Sequence, residues 1–201
     1  MSAPATSVEA ILRERVVVAH NRRTAELRRA GDGSERRLSD RLAVVATLRL
    51  VLEGAGGGEW YLVVRDGEMR VEATSDDAPV VTVFQSVLDW QRLLVAGKGL
   101  FAAGGGGVEL NPVRVARLKA LAGALQFRLT EVDDGEPVSV LLQLGGSLQR
   151  LAPATTLTLR AEDAQRMRAG ELAPPQAMVR GLVQLAGDAS LAVQIGAAFF
   201  M

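Results

Sequence analysis

Apolar positions along the chain change period several times, and those changes mark out the elements. From Ser7 to about Ala30, SVEAILRERVVVAHNRRTAELRRA places Val8, Ile11, Leu12, Val16, Ala19 and later Leu27 at helical spacing. Ser7 at the start, with Glu9 and Glu14 following, suits an N-cap and the helix dipole. GDGS, residues 31–34, then breaks the pattern. In TLRLVLEG, Leu48, Leu50 and Leu52 alternate with Thr47, Arg49 and Val51, which predicts a half-buried strand. EWYLVVRDG and EMRVEA read as two strands joined at an Asp66-Gly67 hairpin turn, and APVVTVF as a fourth. SVLDWQRLLVAG predicts a helix capped by Ser86 and closed by Gly97. Gly104–Gly107 lead into a short VEL, and Pro112 opens a helix over PVRVARLKALAGAL.

The pattern then starts again. LQFRLTEV and VSVLLQLG read as strands around the turn DDGEP, and TTLTLRAEDAQRMRAG repeats strand-then-helix. A short Pro-initiated helix, the strand and turn GLVQLAGD, and a closing helix over DASLAVQIGAAFF complete the chain. VVTVFQSVLDWQRLLVAG and TLTLRAEDAQRMRAG share the order strand, short helix, Ala-Gly. GGVEL corresponds to GLVQL, which sets Val108 and Leu110 opposite Val183 and Leu185. Identity is low, so the match is one of order and patterning. It points to an internal duplication within an α+β fold, with an antiparallel or mixed β-sheet covered by helices. The expected organisation is an N-terminal helix (1–33), a first unit (34–124) and a second unit (125–201), with the helix over 112–124 shared.

Composition narrows the function classes. Apolar residues make up 48% of the 201 positions, enough for a real core. Lys plus Arg and Asp plus Glu both total 23, so no basic excess points to nucleic acid. Cysteine is absent, which excludes disulfides, Cys-zinc sites and thiol nucleophiles. With neither a signal-peptide pattern nor a run of about 18 apolar residues, the expected location is cytoplasmic. Chemistry-bearing constellations are scarce. His20, the single histidine, falls amid arginines and reads as exposed, so neither a Ser-His-Asp triad nor a His-rich metal site can be assembled. The pairs Asp76-Asp77 and Asp133-Asp134 read as solvated turns, and Lys98 followed by Gly99 breaks any phosphate-binding loop signature. No catalysis, metal or cofactor is expected.

Two stretches resemble a known family. EWYLVVRDGEMRVEA with APVVTVFQSVLDWQRLLVAG is similar to the front of a sterol carrier protein 2 (SCP2) domain. TLTLRAEDAQRMRAGELAPPQAMVRGLVQLAGDASLAVQI resembles its back, where Gly181 leads a strand and Gly187-Asp188 turns into the terminal helix. The chain departs from the family in holding two units, and the first has Asn111-Pro112 where the Gly-Asp turn would fall.

In the terminal helix Leu191, Ile195 and Phe199 recur at i, i+4 and i+8 beside the small Ala192 and Ala198. Core packing and a ligand-facing wall are both open readings of that stripe. In the family this helix covers an apolar tunnel, so the resemblance implies a non-catalytic protein holding a fatty-acyl, sterol-like or isoprenoid ligand. The residues expected to line the cavity are Leu142, Leu144, Leu157, Leu159, Met167, Met178, Leu182, Leu185, Leu191 and Ile195. A one-residue slip in strand phase would move the strand positions to the opposite face. Trp90 is a further candidate for a pocket or partner contact. The alternative is a scaffold whose cavity is filled. There the N-terminal helix, apolar on one side and Arg-rich on the other, would dock a protein partner or lie on an anionic membrane.

Overall fold

The computed structural model describes residues 7–30, 33–95, 110–132 and 135–200. The strands are β1 (Ala46–Glu53), β2 (Gly58–Arg65), β3 (Glu68–Glu72), β4 (Val81–Ser86), β5 (Gly123–Thr130), β6 (Val138–Leu144), β7 (Thr155–Arg160) and β8 (Val183–Gly187). They form one mixed sheet in the order β3-β2-β1-β4-β6-β5-β7-β8. In the first half β1 pairs antiparallel with β2 and parallel with β4; in the second β5 pairs antiparallel with β6 and parallel with β7. Each parallel strand runs into a helix, α4 (Val87–Val95) after β4 and α6 (Ala161–Arg168) after β7. The connectivity therefore recurs along the chain. The halves meet where β4 and β6 pair antiparallel at Thr82↔Gln143, Val83↔Leu142 and Phe84↔Leu141.

Strand alternation separates the two faces. Leu50, Leu52, Leu62, Val64, Val81, Val83, Val138, Val140 and Leu142 belong to one continuous core under the helices. Phe84, Ala124 and Leu141, with Val51 against them, form a small cluster on the other face. The segment after β6 is held to that second face. The amide of Gln143 donates to Ser147 O and Gln149 O at 2.8 and 2.9 Å, and Arg49 Nη1 donates to Leu148 O at 2.8 Å. Arg49 and Arg150 both lie over the Phe84 ring, 5.7 and 5.4 Å from its centroid. Asp66 and Gly67 take φ of 53° and 75°, as a two-residue hairpin matched to strand twist requires.

At the N-terminus, α1 (Val8–Ile11), a π-helical segment (Leu12–Val17) and α2 (Val18–Arg29) run on without a break. Ser7 Oγ accepts from Ala10 N–H at 3.2 Å, the expected cap. Val8 and Leu12 are buried in the core, with Ile11, Val16 and Val17 packed against it. Much of the apolar side of this helix is therefore used inside the chain, while Val18 stays exposed. Its outward side carries the ion pairs Arg13–Glu9 and Arg22–Glu26. Asn21 completes the docking: its amide donates to Met69 O at 3.2 Å and its carbonyl accepts from Met69 N–H at 2.8 Å. These two bonds take the place of a neighbouring strand at the β3 edge.

Several expectations are corrected. A helix absent from the sequence reading, α3 (Glu35–Leu42), follows α2; its buried residue is Arg41, so apolar spacing gave no signal for it. The helix expected over 112–124 ends at Lys119 as α5 (Pro112–Lys119). Pairing of Gly123, Ala124 and Leu125 with Leu144, Gln143 and Leu142 overrides the helical propensity of ALAGAL. Trp90 is 4% exposed and part of the core, so it offers no partner surface. His20 is not exposed: its Nε2 is buried without a hydrogen-bond partner. The expectations for Gly31, Gly97, Gly104–Gly107, Val108, Asp133-Asp134 and the Phe199 side chain lie outside the described residues. Among the described residues no helix is long and apolar enough to cross a membrane.

Candidate functional site

The helix-covered face of the second half is built from rows of residues in register across four strands. One row runs Val140, Phe127, Leu157, Leu185, and the next Val138, Leu129, Leu159, Val183. Opposed residues in neighbouring strands share a face, so the pairings alone bring Leu157 and Leu185 together and set Leu142 beside Leu125. Each row is buried at β6 and half-buried at β8. Val140, Val138 and Leu159 are buried, whereas Phe127, Leu157, Val183 and Leu185 are half-buried. The apolar face is thus closed beside β6 and only partly covered at β8, the terminal strand of the sheet.

The last helix, α8 (Ala189–Phe200), packs on β5 and β7 of this face and against α5. Gly187 has φ of 99°, and a Cβ there would lie 2.2 Å from Ala154 O, so the strand ends on glycine for two reasons. Asp188 then caps the helix, its Oδ1 accepting from Ser190 N–H at 2.8 Å and Leu191 N–H at 3.2 Å. Leu191, Ala192, Ile195 and Ala198 are the buried stripe. Leu191 can approach because residue 123 is glycine: a Cβ there would meet Leu191 Cδ2 at 3.1 Å. Arg114 Nε donates to Ala198 O at 3.2 Å and ties the far end of α8 to α5. On the β8 side, α7 (Pro174–Val179) turns inward at Ala177, and Leu182 N–H donates to Ala177 O at 2.9 Å.

The ten expected lining residues fall into three groups. Leu142, Leu144, Leu159, Leu191 and Ile195 are buried in the common core. Leu157 and Met167 are partly buried against it, and Leu182 and Leu185 are half-buried at the β8 edge. Met178 is not in the layer: Ala177 takes the inward position of α7, leaving Met178 on the surface. Two surface hollows lie elsewhere. One of about 500 Å³ is lined by charged residues of β2, β3 and the following loop, among them Arg65, Glu68, Arg70 and Asp77. Another of about 390 Å³, lined by Val45, Thr47, Pro79, Lys119 and Gly145, sits where the two halves meet. None of the ten residues lines either.

Two polar groupings escaped sequence reading. Around His20, Arg41 donates to Thr24 Oγ1 at 2.6 Å and to His20 O at 2.8 Å, and Thr24 donates to Gly67 O at 2.6 Å. Burial, with the Arg41 charge beside it, lowers the His20 pKa to about 4, against an opposing pull from the Gly67 backbone. On the face opposite the helices, Arg49 bonds Glu59 with both Nε (2.9 Å) and Nη2 (2.7 Å), and the Tyr61 hydroxyl donates to Glu59. The Arg49 hydrogen bond holds the Glu59 carboxyl below its ordinary pKa, and desolvation raises that of Tyr61. These partners are distant in sequence or lie on alternating polar positions, so nothing local announces them. Among the described residues no group of three His, Asp or Glu side chains is placed to hold a metal.

An α+β sheet with one helix-covered apolar face, closed by a Gly-Asp-capped terminal helix, defines the class. Residues 108–200 match the model of the SCP-2 sterol transfer family. Similar solved structures include sterol carrier protein 2-like 2 of Aedes aegypti, with 21% identity over 42% of this chain and 92% of that one, at a TM-score of 0.31. Apo sterol carrier protein 2 of Yarrowia lipolytica is 16% identical over 44% of this chain and 74% of that one, at 0.36. A UbiJ-SCP2 ubiquinone synthesis protein is 10% identical over 95% and 88%, at 0.27. No curated protein sequence matches the chain.

Proposed function

We propose that the protein is a non-catalytic, cytoplasmic lipid-binding protein. In this reading the second unit, residues 125–201 with α5 shared, holds a fatty-acyl, sterol-like or isoprenoid ligand between the sheet and α8. The observation that carries the reading is the exposure gradient, from buried Leu142 and Leu159 to half-buried Leu157, Leu182 and Leu185, within the half that matches the SCP2 family. An acyl chain entering from the β8 edge would replace water on those side chains and gain about 0.8 kcal/mol per buried CH₂. No polar recognition group is needed for that affinity. Leu191, Ile195 and Leu159 would form the inner wall, and Leu157, Met167, Leu182 and Leu185 the entrance.

A second reading is a scaffold with its cavity filled. It is favoured by Leu142, Leu144, Leu159 and Ile195, all under 5% exposed and packed into one core with the first half. Native mass spectrometry of the purified protein, followed by organic extraction of any bound mass, separates the two. A discrete extractable lipid, absent from a folded Leu191→Asp variant, is the expected result. An empty protein that also ignores fluorescent fatty acids would establish the scaffold reading instead.

A further inference from the structure

We infer that the end of α7 and the turn into β8, residues Met178–Leu182, form a docking surface for an anionic lipid bilayer. The inference rests on the lipid-binding reading and places the exchange of ligand at this edge. Val179 is 89% exposed and Met178 43%. Arg180, also exposed, follows them directly, and Gly181 turns the chain with φ of 67°. Pro174 and Pro175 start the helix, so its end is displayed on a short, stiff element.

Charge agrees with an anionic partner. From Leu172 to Gly187 the sequence has no carboxylate and one cation, Arg180. Glu171 and Asp188 bound that stretch on either side. An apolar tip with a basic flank suits a bilayer interface, where the side chains enter the headgroup boundary and the guanidinium meets the phosphates. The position agrees as well. Leu182 N–H is bonded to Ala177 O within the same turn, and a few residues on Leu185 opposes Leu157 in the β7–β8 pairing. A chain leaving a bilayer at Val179 would first meet the half-buried Leu182 and Leu185. Two other surfaces lack this combination. The N-terminal helix has much of its apolar side in the core and glutamates among its outward arginines. Leu88 on α4 is 67% exposed but stands next to Asp89.

The test is co-sedimentation of the full chain with vesicles of 70:30 phosphatidylcholine:phosphatidylglycerol, alongside uptake of a fluorescent fatty acid in vesicle-free buffer. Replacing both tip residues, Met178→Asp with Val179→Asp, should weaken vesicle partition at least ten-fold. The same variant should keep fatty-acid affinity within about two-fold, since neither side chain lies in the buried layer. Arg180→Gln should cost about five-fold on the anionic vesicles and nothing on pure phosphatidylcholine. Leu88→Asp should leave partition unchanged. Wild-type protein that stays in the supernatant, a tip variant that sediments like wild type, or an equal loss from Leu88→Asp would each overturn the docking surface. Failure of wild-type protein to take up the fatty acid would instead overturn the lipid reading beneath it.

Discussion

Truncating Ile195 to alanine tests whether α8 is a packed part of the core. The side chain is 1% exposed and lies on the buried stripe with Leu191, Ala192 and Ala198. Ile195→Ala removes the equivalent of three methylenes, and at about 0.8 kcal/mol each the transfer loss alone is about 2.4 kcal/mol. The void left behind adds to it, because the rigid sheet below closes up only partly. The expected total is about 3–4 kcal/mol, inside the usual range of about 2–5 for such truncations. Val193, two residues earlier on the same helix, is 59% exposed, so Val193→Ala should change stability by less than about 0.5 kcal/mol. Urea denaturation of both variants, read at the two tryptophans, gives the comparison directly. Bound lipid would add a second signature: a saturating fatty acid should restore part of the Ile195→Ala loss, since a ligand that binds the folded state stabilises it. Equal losses from the two truncations, or a loss below about 1 kcal/mol from Ile195→Ala, would refute the packing of α8 described above.

Two further outcomes follow from polar groups. His20 has a pKa of about 4 in the folded chain against 6.5 for the free side chain, so between those values the unfolded state binds more protons. Stability is therefore fully present above about pH 6.5 and falls as pH drops towards 4. Complete burial would make the loss roughly 3 kcal/mol, and screening of a partly exposed ring reduces it to roughly 1–2. Thermal melts across that range should show the fall in wild type and a shallower one in His20→Gln; parallel curves would refute it. Asp188→Ala leaves two N–H groups of α8 without their cap and should cost about 1 kcal/mol in chemical denaturation, whereas Asp188→Asn should cost much less.

Sequence reading reached far into the fold wherever one element's own pattern determined it. Alternation located β1, β2, β3, β6 and β7; Ser7, Ser86 and Asp188 marked helix starts because capping is a local contact, and Pro112 marked another. It failed where the decisive partner is remote. The helix α3 packs through Arg41, whose hydrogen bonds go to Thr24 and His20 on another helix, so no apolar period betrays it. His20 lost its exposure to the same contact. The end of α5 was misplaced because β6, about twenty residues downstream, takes residues 123–125 into the sheet. At the candidate site the strand residues could be chosen by alternation, but the rise in exposure from β6 to β8 could not. That gradient depends on strand order and on which helix covers which strand. Met178 was misplaced for a related reason: six residues of helix are too few for a period to distinguish it from Ala177.

The joining of the halves constrains what the second one can do alone. The β4–β6 contact is only three pairs long in register, yet it places Leu142 next to Val83 and makes the two apolar layers one core. On the opposite face Arg49 of β1 reaches Leu148 O, and Arg150 pairs with Glu53 while lying over Phe84. The segment after β6 therefore clasps the first half to the second from behind. Cutting the chain before β5 would leave β6 with an unpaired edge and Leu142 without Val83, exposing apolar surface at the closed end of the layer. In the lipid-binding reading proposed above, an entrance at β8 needs a sealed wall opposite it if a guest is to be held rather than passed through. The first half provides that wall. Its structural contribution to the candidate site is thus made by β4 and Arg49, well outside residues 108–200.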